Sequence, residues 1–397
     1  MRIFIEPTEP LLFRTGRSFD AGESNFAESI FPPTPETIQG ALRAMIAVQW
    51  GKAQPNLIGN LEEIFKQPSI VDLIGKGNIY GQFRITGFTL GRRRADKKVE
   101  RLFPAPFHII QATIQTDYGT KIKRVRLKPR ALAGQLSNVP EGKRLLFLDL
   151  NEEKTAKKSE PLNGWLTAQG LWRALRNTGD LADIQAVPAS TIYERESRLG
   201  IGMNNSTKTT QEGYLYQTQM IRMQPNYGFV IDVELGKDVK GGGKELPYGE
   251  NLLSPQETRD KLNFLKRGWL TLGGEQRAAY FEVLESDHIA EEPGIGQTQQ
   301  GSLIYFATPT YFKGGWLPEA SNILPTTPIT AAISRYQSIG GWQLEPGHAG
   351  GSSKTTRRCV PAGSVYFFDK PVSVTQPLTE YGWQIGYGIV YTGDYES

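Results

Sequence analysis

Strand and helix signals come twice in the same order along this chain, and that repetition limits the folds open to it. Each half offers an early strand, one or two helices and several later strands, an order compatible with two copies of a βαββαβ unit. In the first half, Arg2-Ile3-Phe4-Ile5 reads as a short buried strand. Pro32-Pro33-Thr34-Pro35 stops the preceding segment, with Thr34 placed as a helix cap and Pro35 as the first helical residue. Ile38, Leu42, Met45 and Ile46 follow at amphipathic spacing, and the helix is expected to end near Trp50-Gly51. Further strands are expected over Ile79 to Leu90, Phe107 to Ile114 and Leu145 to Leu150, with Arg92 to Lys98 as a loop and Asn151 to Pro161 polar and exposed. Thr167 is placed to cap a second helix containing Leu171, Trp172 and Leu175, with Gly179 as its stop.

The second half is strand-rich. Tyr214 to Tyr216, Gly228 to Val233, Ala278 to Leu284, Leu303 to Thr308 and Val365 to Phe368 read as strands, and Lys237 to Lys244 as a loop. A domain boundary is expected near 185. It leaves an N-terminal domain over 1–185 with a basic insertion and a C-terminal domain over 186–397 with glycine-rich loops. The fold class is α+β. Glycine at 43 and proline at 25 residues are above the usual share, which fits long inserted loops and many turns.

Charge is unevenly placed. The net charge is only +4, yet residues 92–130 hold 12 Lys/Arg against three acids (Asp96, Glu100 and Asp117). A zone of this kind in a near-neutral protein is the electrostatic footprint of polyanion binding, or else a solvated loop without a partner. Within it, Arg124, Arg126 and Lys128 alternate with Val125 and Leu127. Period two puts the basic side chains on one face of a strand and the apolar pair on the other.

Other classes are disfavoured. The single cysteine, Cys359, allows neither an internal disulfide nor a cysteine-based zinc site. His108, His288 and His348 lie far apart, so no metal or other cofactor is expected. No run of about 18 apolar residues occurs and the first residues lack a signal-peptide pattern, so the expected location is the cytoplasm, away from membranes.

Four segments carry a resemblance. They are Leu11 to Phe19 (Leu-Leu-Phe-Arg-Thr-Gly-Arg-Ser-Phe), Phe31 to Arg43, Arg198 to Ile201 with Glu212 to Tyr216, and Gly340-Gly341-Trp342 with Val360 to Tyr366. In that order the chain resembles the RAMP superfamily of CRISPR proteins, and within it the family of subunit 3 of type III-B Cmr effector complexes. The resemblance implies two ferredoxin-like, RRM-type domains packed together. It implies a non-catalytic, RNA-binding subunit that holds the 5′ handle of a CRISPR RNA in antiviral defence. The implied partners are the large polymerase-like subunit and backbone RAMP subunits. The superfamily's glycine-rich C-terminal loop is reduced here to Gly386-Tyr387-Gly388.

A ferredoxin-like sheet binds single-stranded RNA by stacking bases on aromatics and pairing phosphates with Arg and Lys. The candidate RNA-binding residues are Arg14, Arg17, Arg92, Arg93, Arg94, Lys97, Lys98, Lys123, Arg124, Arg126, Lys128, Gly341, Trp342, Arg357, Arg358, Gly386 and Gly388. Gly386 and Gly388 either let the backbone approach a phosphate or simply make a turn. Two rival readings stay open. In one, the chain is a metal-independent endoribonuclease processing repeat RNA, for which His108 or His348 would serve as the base. In the other, it is a protein-interaction scaffold with basic loops.

Overall fold

A computed structural model describes residues 1–14, 26–57, 60–77, 79–116, 119–131, 139–148, 156–176, 181–203, 206–207, 209–237, 252–292, 300–320, 322–343, 352–375 and 377–395. The chain begins β1 (Arg2–Pro7), β2 (Phe26–Ala27), α1 (Pro35–Lys52), α2 (Leu61–Ile64), α3 (Pro68–Ile74), β3 (Phe83–Arg93) and β4 (Val99–Pro104). It continues β5 (Ile109–Thr116), β6 (Gly119–Arg130), β7 (Leu145–Leu148), β8 (Ala156–Pro161), β9 (Trp165–Thr167), α4 (Ala168–Leu175) and α5 (Ala189–Ile192). Then come β10 (Tyr193–Met203), β11 (Thr210–Met223), β12 (Tyr227–Leu235), α6 (Pro255–Lys261), β13 (Arg267–Thr271) and β14 (Ala278–Val283). The last are β15 (Gln300–Phe306), β16 (Thr330–Ala332), β17 (Gln337–Ile339), β18 (Trp342–Gln343), β19 (Ser352–Ser353), β20 (Arg357–Cys359), β21 (Val365–Ser373) and β22 (Val390–Gly393). The architecture is mixed α+β and rich in sheet.

Two sheets share one strand order. In the first, β14, β1, β12 and β3 lie side by side, all antiparallel. Counted along the chain, these are the fourth, first, third and second strands of one path, with α1 after the first strand and α6 after the third. β13 extends this sheet beyond β14, and β4 and β9 extend it beyond β3. In the second sheet, β22, β15, β21 and β16 repeat the fourth, first, third, second order, again antiparallel. The long stretch between β3 and β12 builds two further elements: the sheet β7-β6-β5-β8 and the hairpin β10–β11, with β2 parallel to β11. Residue 185 lies inside that stretch, so the first sheet takes strands from both sides of it.

Local sequence explains the pieces. Thr34 caps α1 by accepting a hydrogen bond from the Thr37 amide, with Pro35 behind it. Ile38, Leu42, Met45 and Ile46 are all buried against Ile3, Ile5, Ile85 and Phe229 of the first sheet. The second sheet is covered on both faces. Leu303, Tyr305, Val365 and Phe367 pack against Leu171, Ala174 and Leu175 of α4 and against Ile109, while Ile304, Phe306, Tyr366 and Phe368 pack against Phe312, Leu324 and Leu378. Burial on both faces is why Leu303 to Phe306 and Val365 to Phe368 are unbroken apolar runs rather than alternating ones. α4, though contributed by the insertion, therefore serves the second sheet.

Several sequence expectations shift. The Arg92 to Lys98 loop is a hairpin whose arms are β3 and β4. The Arg94 amide donates to the Lys98 carbonyl, and Arg92 faces Glu100 across the ladder. The polar segment 151–161 ends in a strand, β8, because β5 offers it a free edge. The second helix stops at Arg176, which is extended, and Gly179 lies outside the described residues. α6 is an addition to the expected elements, and Ser254-Pro255-Gln256-Glu257 forms a complete capping box in front of it.

A cluster of charges joins the first sheet to the second. The Arg101 guanidinium donates to both carboxylate oxygens of Glu292 at 2.6 Å, to Asp232 at 3.3 Å and to the Tyr391 hydroxyl of β22 at 3.2 Å. Arg2 donates to Asp232 at 2.6 Å and to Glu292 at 3.2 Å. Burial works to raise the Asp232 pKa. The hydrogen bond from Arg2 and the charges of Arg2 and Arg101 outweigh it and hold the carboxyl below its ordinary value.

Candidate nucleic-acid interface

The sequence candidates fall into three places that the fold keeps on separate elements. The first is the β3–β4 hairpin. Its arginines are already occupied: Arg92 by Glu100 at 2.8 Å, Arg93 by Glu6 at 2.9 Å and Glu282 at 2.6 Å, and Arg94 by Asp96 at 3.0 Å. Lys97 sits at the turn with φ +66° and is exposed, and Lys98 is half-buried. The dense positive charge that the sequence suggests is therefore largely neutralised by carboxylates that are distant in the chain or across the turn.

The second place is β6. Val125 is buried, as the period-two pattern requires, and Arg124 and Arg126 lie together on the other face. That face meets protein. Arg126 donates to the carbonyls of Arg173 at 3.0 Å and Arg176 at 2.7 Å, the orphan acceptors at the end of α4, and Arg124 donates to the Ala182 carbonyl at 3.0 Å. Arg126 holds the end of α4, and Arg124 holds the turn at 181–183 that follows it. Lys123 is exposed and Lys128 half-buried.

The third place is a hairpin in the stretch between β16 and β21. Gln337↔Cys359, Ser338↔Arg358 and Ile339↔Arg357 pair at its base, and Trp342↔Ser353 and Gln343↔Ser352 pair further out. Between the two ladders the Lys354 amide donates to the Gly341 carbonyl at 2.8 Å. The tip, 344–351, with His348, lies outside the described residues. The Arg357 guanidinium lies 3.6 Å from the centre of the Tyr381 ring and 5.7 Å from that of Tyr311. Arg358, on the other face of the strand, lies 5.1 Å from the Tyr336 ring. Among the described residues no carboxylate forms an ion pair with Arg357, Arg358, Arg335 or Lys354. Aromatic faces replace carboxylates as the neighbours of Arg357 and Arg358, and apart from one Arg357 N–H directed at the Thr355 carbonyl at 3.5 Å the guanidinium edges face no acceptor among the described residues.

The remaining candidates are distributed elsewhere. Arg14 is exposed and its backbone bridges Ser29; Arg17 lies outside the described residues. Gly386 and Gly388 are both buried, with φ of +99° and +68°. A Cβ on Gly386 would stand 3.0 Å from Ile85 of β3, and one on Gly388 would stand 2.6 Å from the Leu378 carbonyl oxygen. The loop is the tight seam between the two sheets and is closed to a phosphate.

His108 is buried beneath α4. Its Nε2 lies 3.2 Å from the Ala174 carbonyl and its ring meets Phe367 edge-on. Burial, reinforced by the charge of Arg126, pushes its imidazole down to about 3. His288 sits in an exposed turn. Cys359 is buried, and burial pushes its thiol up to about 12. Among the described residues no group of three or more His, Cys, Asp or Glu could hold a metal ion, and no helix is long and apolar enough to cross a membrane.

A family model described as CRISPR-associated protein (Cas_Cmr3) matches residues 3–395. No curated protein matches the chain. Among solved structures, the chain is similar to one in a type III-B Cmr-β complex bound to cognate target RNA and AMPPnP. Identity is 17%, coverage 92% of this chain and 86% of that one, and the TM-score 0.44. It is also similar to a chain of the Csm3–Csm4 subcomplex of a type III-A interference complex, with 12% identity, coverage of 100% and 99%, and a TM-score of 0.31.

Proposed function

Because the chain belongs to the Cmr3 family of CRISPR-associated proteins, we propose that it is a non-catalytic RNA-binding subunit of a type III-B effector complex, gripping the 5′ handle of the CRISPR RNA through the hairpin 337–359. One observation carries the assignment to this hairpin. Arg357 and Arg358 lie on tyrosine rings with no carboxylate partner among the described residues, whereas Arg92, Arg93 and Arg94 are each paired with an acid. An arginine held against an aromatic ring has little further freedom to give up. Its forked donors match phosphate oxygens.

The two sheets with a shared strand order are read as two ferredoxin-like units. On that reading the two units divide after Glu292, since β12, β13 and β14 pair into the first sheet. Burial of His108 beneath α4 supports a non-catalytic role, since a general base must reach the proton it takes. Docking on the large polymerase-like subunit and on backbone subunits is supported by the hairpin β10–β11. Leu199, Ile201 and Met203 stand at alternate positions of β10 and are 75%, 52% and 52% exposed, a stripe that water does not favour.

The test is RNA binding over a range of salt. Arg357→Ala and Arg358→Ala in the full chain should each weaken binding to a handle-bearing RNA. Each should also flatten the salt dependence by about 0.7 in log–log slope for every phosphate that no longer meets a guanidinium. Unchanged affinity and slope in both variants would remove the hairpin from the RNA site.

A further inference from the structure

We infer that the outer edge of the first sheet carries a second, sequence-tolerant site for single-stranded RNA, in which Trp269 stacks a base and Arg267 takes its phosphate. The site lies on the first unit, apart from the hairpin 337–359, and does not depend on the handle reading.

The geometry follows from strand alternation. Gly268 and Leu270 of β13 face α1: a Cβ on Gly268 would stand 3.1 Å from the Gln49 side chain, and Leu270 belongs to the core beneath that helix. Arg267, Trp269 and Thr271 therefore face the opposite way, onto the side of the sheet away from α1. β13 is the last strand on that edge, so nothing further in the sheet lies beside it. Trp269 is 59% exposed. Its cross-strand neighbour Tyr280 meets it edge-on, with ring centres 5.5 Å apart and planes at 74°. The contact with Tyr280 positions the indole, and more than half of the side chain remains open to solvent.

The charge beside it points to the ligand. Arg267 is exposed and forms no ion pair among the described residues, because Glu282, directly opposite it, is taken by Arg93 at 2.6 Å. Arg267 and Trp269 are two residues apart on one face, about 7 Å along the strand, a distance that one nucleotide spans between its phosphate and its base. An exposed indole with an available guanidinium at that spacing is the pairing used for single strands, where stacking accepts every base. The surroundings, Thr271, Glu282 and Arg267, are too polar to form the apolar centre of a protein interface.

The test uses the full chain and a short mixed-sequence single-stranded RNA carrying iodouridine, which crosslinks to aromatic rings stacked on it. Wild type should crosslink at Trp269 or Tyr280. Trp269→Ala should weaken binding about tenfold for handle and scrambled RNA alike, and Trp269→Phe should retain most of it. Thermal unfolding should be unchanged, since the side chain is mostly outside the fold. Trp269→Ala binding RNA like wild type, with crosslinks elsewhere, overturns the inference. So does a variant that keeps RNA binding but fails to associate with a partner subunit. Weaker binding in Arg357→Ala alone would sink this site and leave the handle reading intact; weaker binding in Trp269→Ala alone would do the reverse.

Discussion

Replacing Arg101 by methionine should destabilise the protein by about 3–5 kcal/mol at neutral pH. Arg101 is 8% exposed at its side chain, and Arg2 and Glu292 are each 14% exposed, so the four charges of the cluster see little water. In the native protein two guanidiniums balance two carboxylates. Methionine preserves much of the hydrocarbon volume but leaves Asp232 and Glu292 sharing Arg2 alone, and removes a donor to the Tyr391 hydroxyl. The deficit has a pH signature. Asp232 has a folded pKa below its unfolded value, which is about 3.9. Its contribution is thus present above that unfolded value and is lost as pH falls through the lower folded one. Without Arg101 less holds the Asp232 carboxyl in its charged form. The gap between variant and wild type should therefore be full at neutral pH and shrink on acidification. Urea unfolding followed by tryptophan fluorescence at neutral pH and below about pH 4 measures both. A deficit below about 1 kcal/mol at neutral pH, or a gap that widens in acid, would show that the cluster does not hold the two sheets together.

Three further outcomes are expected. Gly388→Ala places a Cβ 2.6 Å from the Leu378 carbonyl at φ +68°, so it should reduce the stability read from urea titration by about 2 kcal/mol or more. His108 is held neutral with a folded pKa of about 3 against about 6.5 when unfolded, so its contribution is complete above the unfolded value and lost as pH falls toward the folded one. Stability of wild type should accordingly fall by about 1.4 kcal/mol more per pH unit than that of His108→Gln between roughly pH 6 and pH 4, read from unfolding curves. Arg126→Met should destabilise the protein by about 1–3 kcal/mol through the orphaned carbonyls at the end of α4, while leaving the salt slope of RNA binding unchanged.

What is legible in the sequence depends on range. Thr34, Pro35 and the spacing from Ile38 to Ile46 declare α1 because capping and amphipathicity are local. Val365 to Phe368 declares a strand because four apolar residues entered from a Pro-Ala-Gly turn have few other uses. The first sheet cannot be assembled in the same way: its second and third strands, β3 and β12, are separated by the whole insertion, and nothing near either names the other. The same limit governs the site. Arg93 reads as a free cation because its partners Glu6 and Glu282 stand 87 and 189 residues away. Arg126 reads as a phosphate contact because the α4 carbonyls are equally invisible. Arg357 and Arg358 are legible as an arginine pair beside a glycine-rich segment, but their tyrosine neighbours Tyr381, Tyr311 and Tyr336 are not. Two local signals carry more than the sequence reading takes from them: the Ser254-Glu257 capping box before α6, and Trp269 with Arg267 at alternate positions of an edge strand.

The most direct test of handle binding is ultraviolet crosslinking of the full chain to a CRISPR RNA with its 5′ handle, mapped to peptides, against an RNA with the handle scrambled. The account predicts crosslinks within 337–359 that disappear with the scrambled handle. Equal crosslinking of both RNAs along that hairpin, or none there with either, would contradict it.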